Sequence, residues 1–313
     1  MSMLVAQPGL LSLLQDAGRF GAHHIGLTNG GPLDQQAFAW ANRLLGNDAN
    51  ACAIEVSFGG LQLQAQVDTY IAITGADMPL QIDGVAQPLW TSHRVTAGSK
   101  ISLGFAQQGT RAYVAVAGGW QTPHSFGSRS TVVREKIGGL SNGAKLTDND
   151  LLACNATPSL QRYTLEQDHQ PQYGSHADLH VVLGYQQALF NPSTQRRFFT
   201  STYTMTDRAD RMGMRLEGAN VACGTQQMLS EGICHGAIQI PADGQPIVLL
   251  NDRQTIGGYP KIGSVMGQDT ARLAQLRPGD TVTFTPVDIH DAHNLNALAA
   301  YRFHNTPLHA IDE

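Results

Sequence analysis

The chain has 313 residues, a length that suits two domains, each large enough for its own core. Hydrophobic residues make up 42% and charged residues 14%, which excludes a disordered chain. The 33 glycines and 14 prolines favour many short strands, and a net charge of −5 with no Lys/Arg stripe leaves no footprint for nucleic acid or an anionic membrane. The apolar run 112–120 is about half as long as a membrane-spanning helix requires. The first residues lack the basic start and small-residue cleavage site of a signal peptide. Cys52, Cys154, Cys223 and Cys234 are too scattered for a disulfide framework, and Cys223, Cys234 and His235 match no recurrent zinc spacing. The expectation is inert thiols, no metal and a cytoplasmic location.

In chain order, Asp34 predicts a helix cap over 35–45, with Phe38, Ala41 and Leu45 on one face and Gly46 ending it. Ala53-Ile54-Glu55-Val56 reads as a strand in which alternation lets Glu55 point outward. Segments 61–65, 101–105 and 282–284 alternate with period two, whereas 71–73, 114–116 and 247–250 suit strands buried on both faces. The polar, proline-containing stretch 153–176 reads as a linker, which divides the chain into 1–165 and 176–313. Short helices are predicted over 269–276, stopping before Pro278, and over 289–301. Many short strands per half favour a barrel or sandwich, because closure removes exposed edges.

A faint duplication runs through this pattern. Ala53-Ile54-Glu55-Val56 with Gly60 recurs as Ala237-Ile238-Gln239-Ile240 with Gly244, and Arg19-Phe20-Gly21 recurs as Arg211-Met212-Gly213. Thr74-Gly75-Ala76-Asp77 is echoed by Ile256-Gly257-Gly258-Tyr259, and the segment from Ala97 by the segment from Pro278. The offsets of 192, 184, 182 and 181 drift slowly along the chain, as diverged repeats require and chance matches do not.

Gly138-Gly139-Leu140-Ser141-Asn142-Gly143-Ala144-Lys145-Leu146 misses a P-loop, because Ala144 separates glycine from lysine and Leu146 stands where a hydroxyl is needed. Its Gly139-x-Ser141-x-Gly143 is formally a nucleophile elbow, but the residues after it do not read as a helix. The loop Asn251–Lys261 differs in kind: it follows an apolar strand and gathers Gln254, Thr255, Gly257, Gly258, Tyr259 and Lys261. Paired glycines suit a nest of amides for a carboxylate or phosphate, Gln254 and Thr255 offer directional hydrogen bonds, and Lys261 offers a full charge. The plain alternative is a turn with Tyr259 in the core. Arg19, flanked by small residues, and Arg211, in the same repeat context, are anion-binding candidates, with a surface ion pair the plain reading of Arg211. Asp34 is a cap or a ligand contact, and Glu55 is open between a structural and a binding role.

Seven ordered blocks between Gly9 and Pro286 carry a family resemblance: the segments at 14–21, 31–34, 42–48, 53–56, 113–119, 210–218 and 253–262. The chain resembles the biotin-dependent carboxyltransferase-like family that includes the C component of 5-oxoprolinase, also labelled allophanate hydrolase subunit 2. Ile256 stands where that pattern usually has threonine, and Gly267-Gln268 replace its usual Ser/Glu-Ala. The resemblance implies a mainly β chain of two cyclophilin-like β-barrel domains with a few short helices and a cleft between the barrels. It implies one component of an ATP-dependent 5-oxoprolinase complex that opens 5-oxo-L-proline to L-glutamate, with B-like and A-like partner proteins joined through an apolar barrel edge. Lys261, Arg211 and Arg19 are then the expected catalytic groups. Gln254, Thr255, Gly257, Gly258, Tyr259, Asp34 and Glu55 are the expected substrate contacts. Two alternatives stay open: a carboxyltransferase component of a urea carboxylase/allophanate-type system using biotin carried elsewhere, and a non-catalytic partner that antagonises a kinase inhibitor related to the B-like protein.

Overall fold

A computed structural model describes residues 1–225 and 228–312. The chain is mainly β and separates into two compact units, with four α-helices among the described residues. The first unit is Met1–Phe20, Gly30–Tyr173 and Thr306–Glu313; the second is Gly21–Asn29 and Gly174–Asn305. The predicted ranges 1–165 and 176–313 place the last residues with the second half. In the structure the strand His309–Ile311 pairs with Arg162–Thr164 and so joins a sheet of the first unit. No helix among the described residues is long and apolar enough to cross a membrane.

The first unit has two antiparallel sheets around one core. The six-stranded sheet holds Ser2–Pro8, Leu61–Ala65 and Lys100–Leu103 side by side; the seven-stranded sheet centres on Ala53–Ser57, Gln108–Val116 and Thr69–Asp77. Leu61, Leu63 and Ala65 turn inward while Gln62 and Gln64 turn away, the period-two signature of a sheet with one wet face. Val5, Leu63 and Ile101 of one sheet share a buried cluster with Ile54, Ile73 and Val114 of the other. The central strands of the seven-stranded sheet are buried on both faces, because the helix Gln35–Arg43 covers the second one. Phe38 meets Tyr113 edge-on with ring centroids 6.1 Å apart, and Thr74 Oγ1 donates to the carbonyl of Ala37 over 2.7 Å. Asp34 caps this helix, its Oδ1 accepting from the amide of Ala37 at 2.9 Å, and Gly46 follows in the left-handed conformation.

The second unit is a closed seven-stranded barrel. His176–Leu183 closes it by pairing antiparallel with Lys261–Val265 on one side and parallel with Thr281–Pro286 on the other. Phe198, from the helix Pro192–Thr200, stacks on Phe284 at 4.4 Å and lies 5.9 Å from Tyr203, making an aromatic plug in the core. The helix Gly267–Leu273 is tied to the first barrel strand through Asp269, whose Oδ2 accepts from the amide of His180 at 2.8 Å. Outside the barrel, Glu231–Gly232 and Ile256–Gly257 form a short antiparallel pair that carries the polar loop.

Candidate functional site

The barrel unit holds a cavity of about 420 Å³ lined by Gln239, Gln254, Tyr259, Arg215, Asp210 and Met212, among others. Its volume lies in the range of small-molecule sites. A second hollow of about 350 Å³ shares Asp207, Arg208, Arg215 and Ile247 with it, so both open along the same strands. Gln254 and Tyr259 of the predicted loop line the larger one, and Tyr259 is 44% exposed, not core. The wall is rich in donors, with two primary amides, two guanidinium groups and a phenol. Asp210 is occupied locally, its Oδ1 accepting from the amides of Met212 and Gly213.

Gly257 and Gly258 do not form the predicted nest. Neither adopts the left-handed φ that a nest of successive amides uses. Gly257 is instead held in the short strand pair opposite Glu231, and the carbonyl of Gly258 accepts from the amide of Met228 at 3.0 Å. Close approach explains both glycines: a Cβ on Gly258 would fall 2.7 Å from the Met228 carbonyl oxygen. Thr255 is half-buried and its carbonyl accepts from the amide of Ile233.

Lys261 is buried, and its ammonium pairs with Glu231. Gln186 bridges the two, donating from Nε2 to the same carboxylate while its Oε1 accepts from the Lys261 amide at 2.8 Å. The hydrogen bond from Lys261, helped by Tyr185, holds the Glu231 carboxyl below its usual range. Arg211 makes a buried bidentate pair with Asp252, with Nε to Oδ2 at 2.9 Å and Nη2 to Oδ1 at 3.0 Å. The pair is buried, which corrects the plain reading of Arg211 as a surface ion pair. Arg253 is buried beside it and donates to the carbonyls of Ile233 and Leu250 and to Asn29 Oδ1. Burial, with Arg253 nearby, lowers His235 to about 4, so the ring is neutral as it meets Asn251 Oδ1 at 3.0 Å.

The remaining predicted residues belong to the first unit. Arg19 is buried and donates to the carbonyls of Ser125 and Ser130 at 3.0 and 3.2 Å. Asp34 accepts the Tyr173 hydroxyl on the oxygen that does not cap the helix, at 2.8 Å. Glu55 does not point outward, contrary to the alternation argument: it is 1% exposed and its Oε2 accepts from the Tyr113 hydroxyl at 2.7 Å and the Leu33 amide at 2.9 Å. Both faces of its strand are covered, so alternation carries no sign of solvent there. The glycine-rich stretch 138–146 does not fit nucleotide phosphates. Its amides at Gly139, Gly143, Ala144 and Leu146 already donate to carbonyls of the protein, and no helix follows.

Motif reading missed Gln239, Gln186, Glu231, Arg208 and Arg215. Gln239 had a signal in the repeat position of Glu55, and Arg215 lay within the block 210–218.

Comparisons with known proteins agree with this architecture. The chain is 35% identical over 291 residues to the C component of the Escherichia coli 5-oxoprolinase, covering 92% of both proteins. It is 29% identical to the urea amidolyase of Saccharomyces cerevisiae, matching 93% of this chain but 17% of that protein. The crystal structure of the Kluyveromyces lactis urea carboxylase superposes with a TM-score of 0.91 and 25% identity over 98% of this chain and 29% of that one. Residues 25–286 match the carboxyltransferase domain, subdomain A and B. With the sheets, the barrel and this match in agreement, the chain belongs to the carboxyltransferase domain, subdomain A and B, family.

Proposed function

We propose that this chain is the C component of an ATP-dependent 5-oxoprolinase that opens 5-oxo-L-proline to L-glutamate together with A-like and B-like partners. The observation that carries the reading is coverage: the chain and its E. coli 5-oxoprolinase relative match over 92% of each other, whereas the urea amidolyase match takes in 17% of a much longer protein. The chemistry of the barrel cavity suits it. A lactam carrying a carboxylate needs several donors for its two oxygen-bearing ends, and stabilising the charge that develops on the carbonyl needs donors already in place. Gln254 and Tyr259 orient the substrate in this reading, and Lys261 supplies the positive charge, held in register by Glu231 and Gln186. Thr255, Gly257 and Gly258 shape the loop. Arg211 acts as a positioning residue that fixes the loop through Asp252, and Arg19, Asp34 and Glu55 order the first unit. The complex uses ATP, with its phosphates held away from the stretch 138–146.

Reconstitution with the A-like and B-like proteins tests this. ATP-dependent glutamate release from 5-oxoproline is expected with all three chains and lost when this one is omitted. Lys261→Ala is expected to lower kcat/KM at least tenfold, about 1.4 kcal/mol, with the fold retained. No glutamate release from the full set, or avidin-sensitive turnover, overturns the reading.

A further inference from the structure

We infer that Gln239 is an oxygen-binding donor of the barrel cavity: its side-chain amide, together with that of Gln254, takes a carbonyl or carboxylate oxygen of a small ligand. Gly257 is glycine to leave room for it.

Gln239 is 2% exposed and lines the cavity, yet its Nε2 has no hydrogen-bond partner among the described residues. A buried donor left unmade is costly, so a well-packed barrel keeps one where something else completes it. The duplication supplies an internal control. Glu55 stands at the same strand position in the first unit, and there Tyr113, directly opposite on the neighbouring strand, donates its hydroxyl while Leu33 adds an amide. The strand partners of Gln239 are Ile247 and Lys261; Ile247 has no polar side chain and Lys261 turns to Glu231. One repeat closes its buried polar end with protein groups, and the other leaves it facing a cavity.

Gly257 points the same way. Its backbone is not left-handed, so its reason for being glycine is space. A Cβ there would fall 3.0 Å from Gln239 Nε2, 3.5 Å from Gln254 Nε2 and 2.6 Å from Ile233 Cδ1. Two amide nitrogens therefore approach one small volume that a methyl group would fill. Arg208 and Arg215 also line the cavity, together with Asp207 and the locally bonded Asp210. The ligand class that fits is a small amide or lactam bearing a carboxylate. That identity rests on the 5-oxoprolinase reading; the existence of the oxygen subsite does not.

The full chain, labelled with ¹⁵N in its glutamine side chains, is titrated with three probes. These are 5-oxo-L-proline, 2-pyrrolidinone, which lacks the carboxylate, and L-proline, which lacks the lactam oxygen. The Gln239 signals are identified by their loss in Gln239→Met. Expected are saturable shifts of the Gln239 signals with 5-oxo-L-proline, and binding at least tenfold weaker in Gln239→Met and in Gly257→Ala. Gln239→Met is expected to melt no lower than the parent, since no protein partner is lost; a structural role would lower it. In the reconstituted complex both variants are expected to raise KM more than they lower kcat. If the parent complex turns over 5-oxoproline while the Gln239 signals stay still and KM is unchanged, the subsite is overturned and the functional reading stands. If the parent complex releases no glutamate, the functional reading falls and the titration alone decides: movement by any of the three probes supports the subsite, and no movement overturns it.

Discussion

Arg211 and Asp252 show what a buried pair does for a polar loop. Their side chains are 9% and 6% exposed and joined by two parallel hydrogen bonds, so removing one partner strands the other in a place water cannot reach. Arg211→Ala is expected to destabilise the barrel by about 3–5 kcal/mol in urea unfolding, with the double variant Arg211→Met/Asp252→Leu recovering part of the loss. Equal stability of the single variant and the parent would remove the pair from the loop's support. His235 gives the same region a pH dependence. Its folded value of about 4 lies below the ordinary 6.5, so the unfolded chain binds the extra proton first. The stability it contributes is complete above about pH 6.5 and is lost as pH falls towards 4, a difference of about 3 kcal/mol. His235→Gln, which keeps a donor for Asn251 and cannot charge, is expected to flatten that part of the stability profile measured by denaturant titration.

Elements respond to the same rules at a larger scale. The helix Gln35–Arg43 starts where it does because Asp34 caps it, and Asp34 also anchors Tyr173. Asp34→Ala is expected to cost about 1–2 kcal/mol, and Asp34→Ser to recover the cap with KM unchanged. A raised KM in the serine variant would give Asp34 a ligand role instead. This helix was legible in the sequence because capping and a one-sided apolar stripe are local signals, and so were the helices at Gly267–Leu273 and Ile289–Asn305. The helix Pro192–Thr200 carried an equally local start signal in Asn191-Pro192, but its apolar face is mainly Phe198, which stacks on the distant Phe284. The strands with one wet face showed their period. Glu55 misled because a doubly covered strand has no solvent side for alternation to report. The polar loop announced itself by composition, whereas Gln239 and Glu231 entered its neighbourhood only through strand pairings far apart in sequence.

Across the whole chain, the order of residues and the two units interleave. The first unit is completed by residues that follow the second in sequence, so the last strand returns to the sheet edge at Arg162–Thr164. That return is held by more than the strand pairing: Arg43 Nη2 donates to the Thr306 carbonyl at 2.8 Å, Gln161 Nε2 to the Ile311 carbonyl at 3.2 Å, and His309 lies 3.0 Å from Glu166. Without the strand, Arg162–Thr164 becomes an exposed edge, touching its sheet at Thr91. Ending the chain at Asn305 is therefore expected to lower the stability of the first unit by about 1–3 kcal/mol, as several partly exposed hydrogen bonds are lost. Native-state hydrogen exchange reads the effect residue by residue. Protection is expected to fall at the Arg162 and Thr164 amides, which alternate with a Tyr163 amide bonded to Ser92 Oγ, while the barrel strands Ala237–Gln239 and Lys261–Val265 keep theirs. Equal loss in both sets would mean that the last strand supports the whole chain, and no loss at Thr164 would mean that its pairing contributes nothing to the sheet it completes.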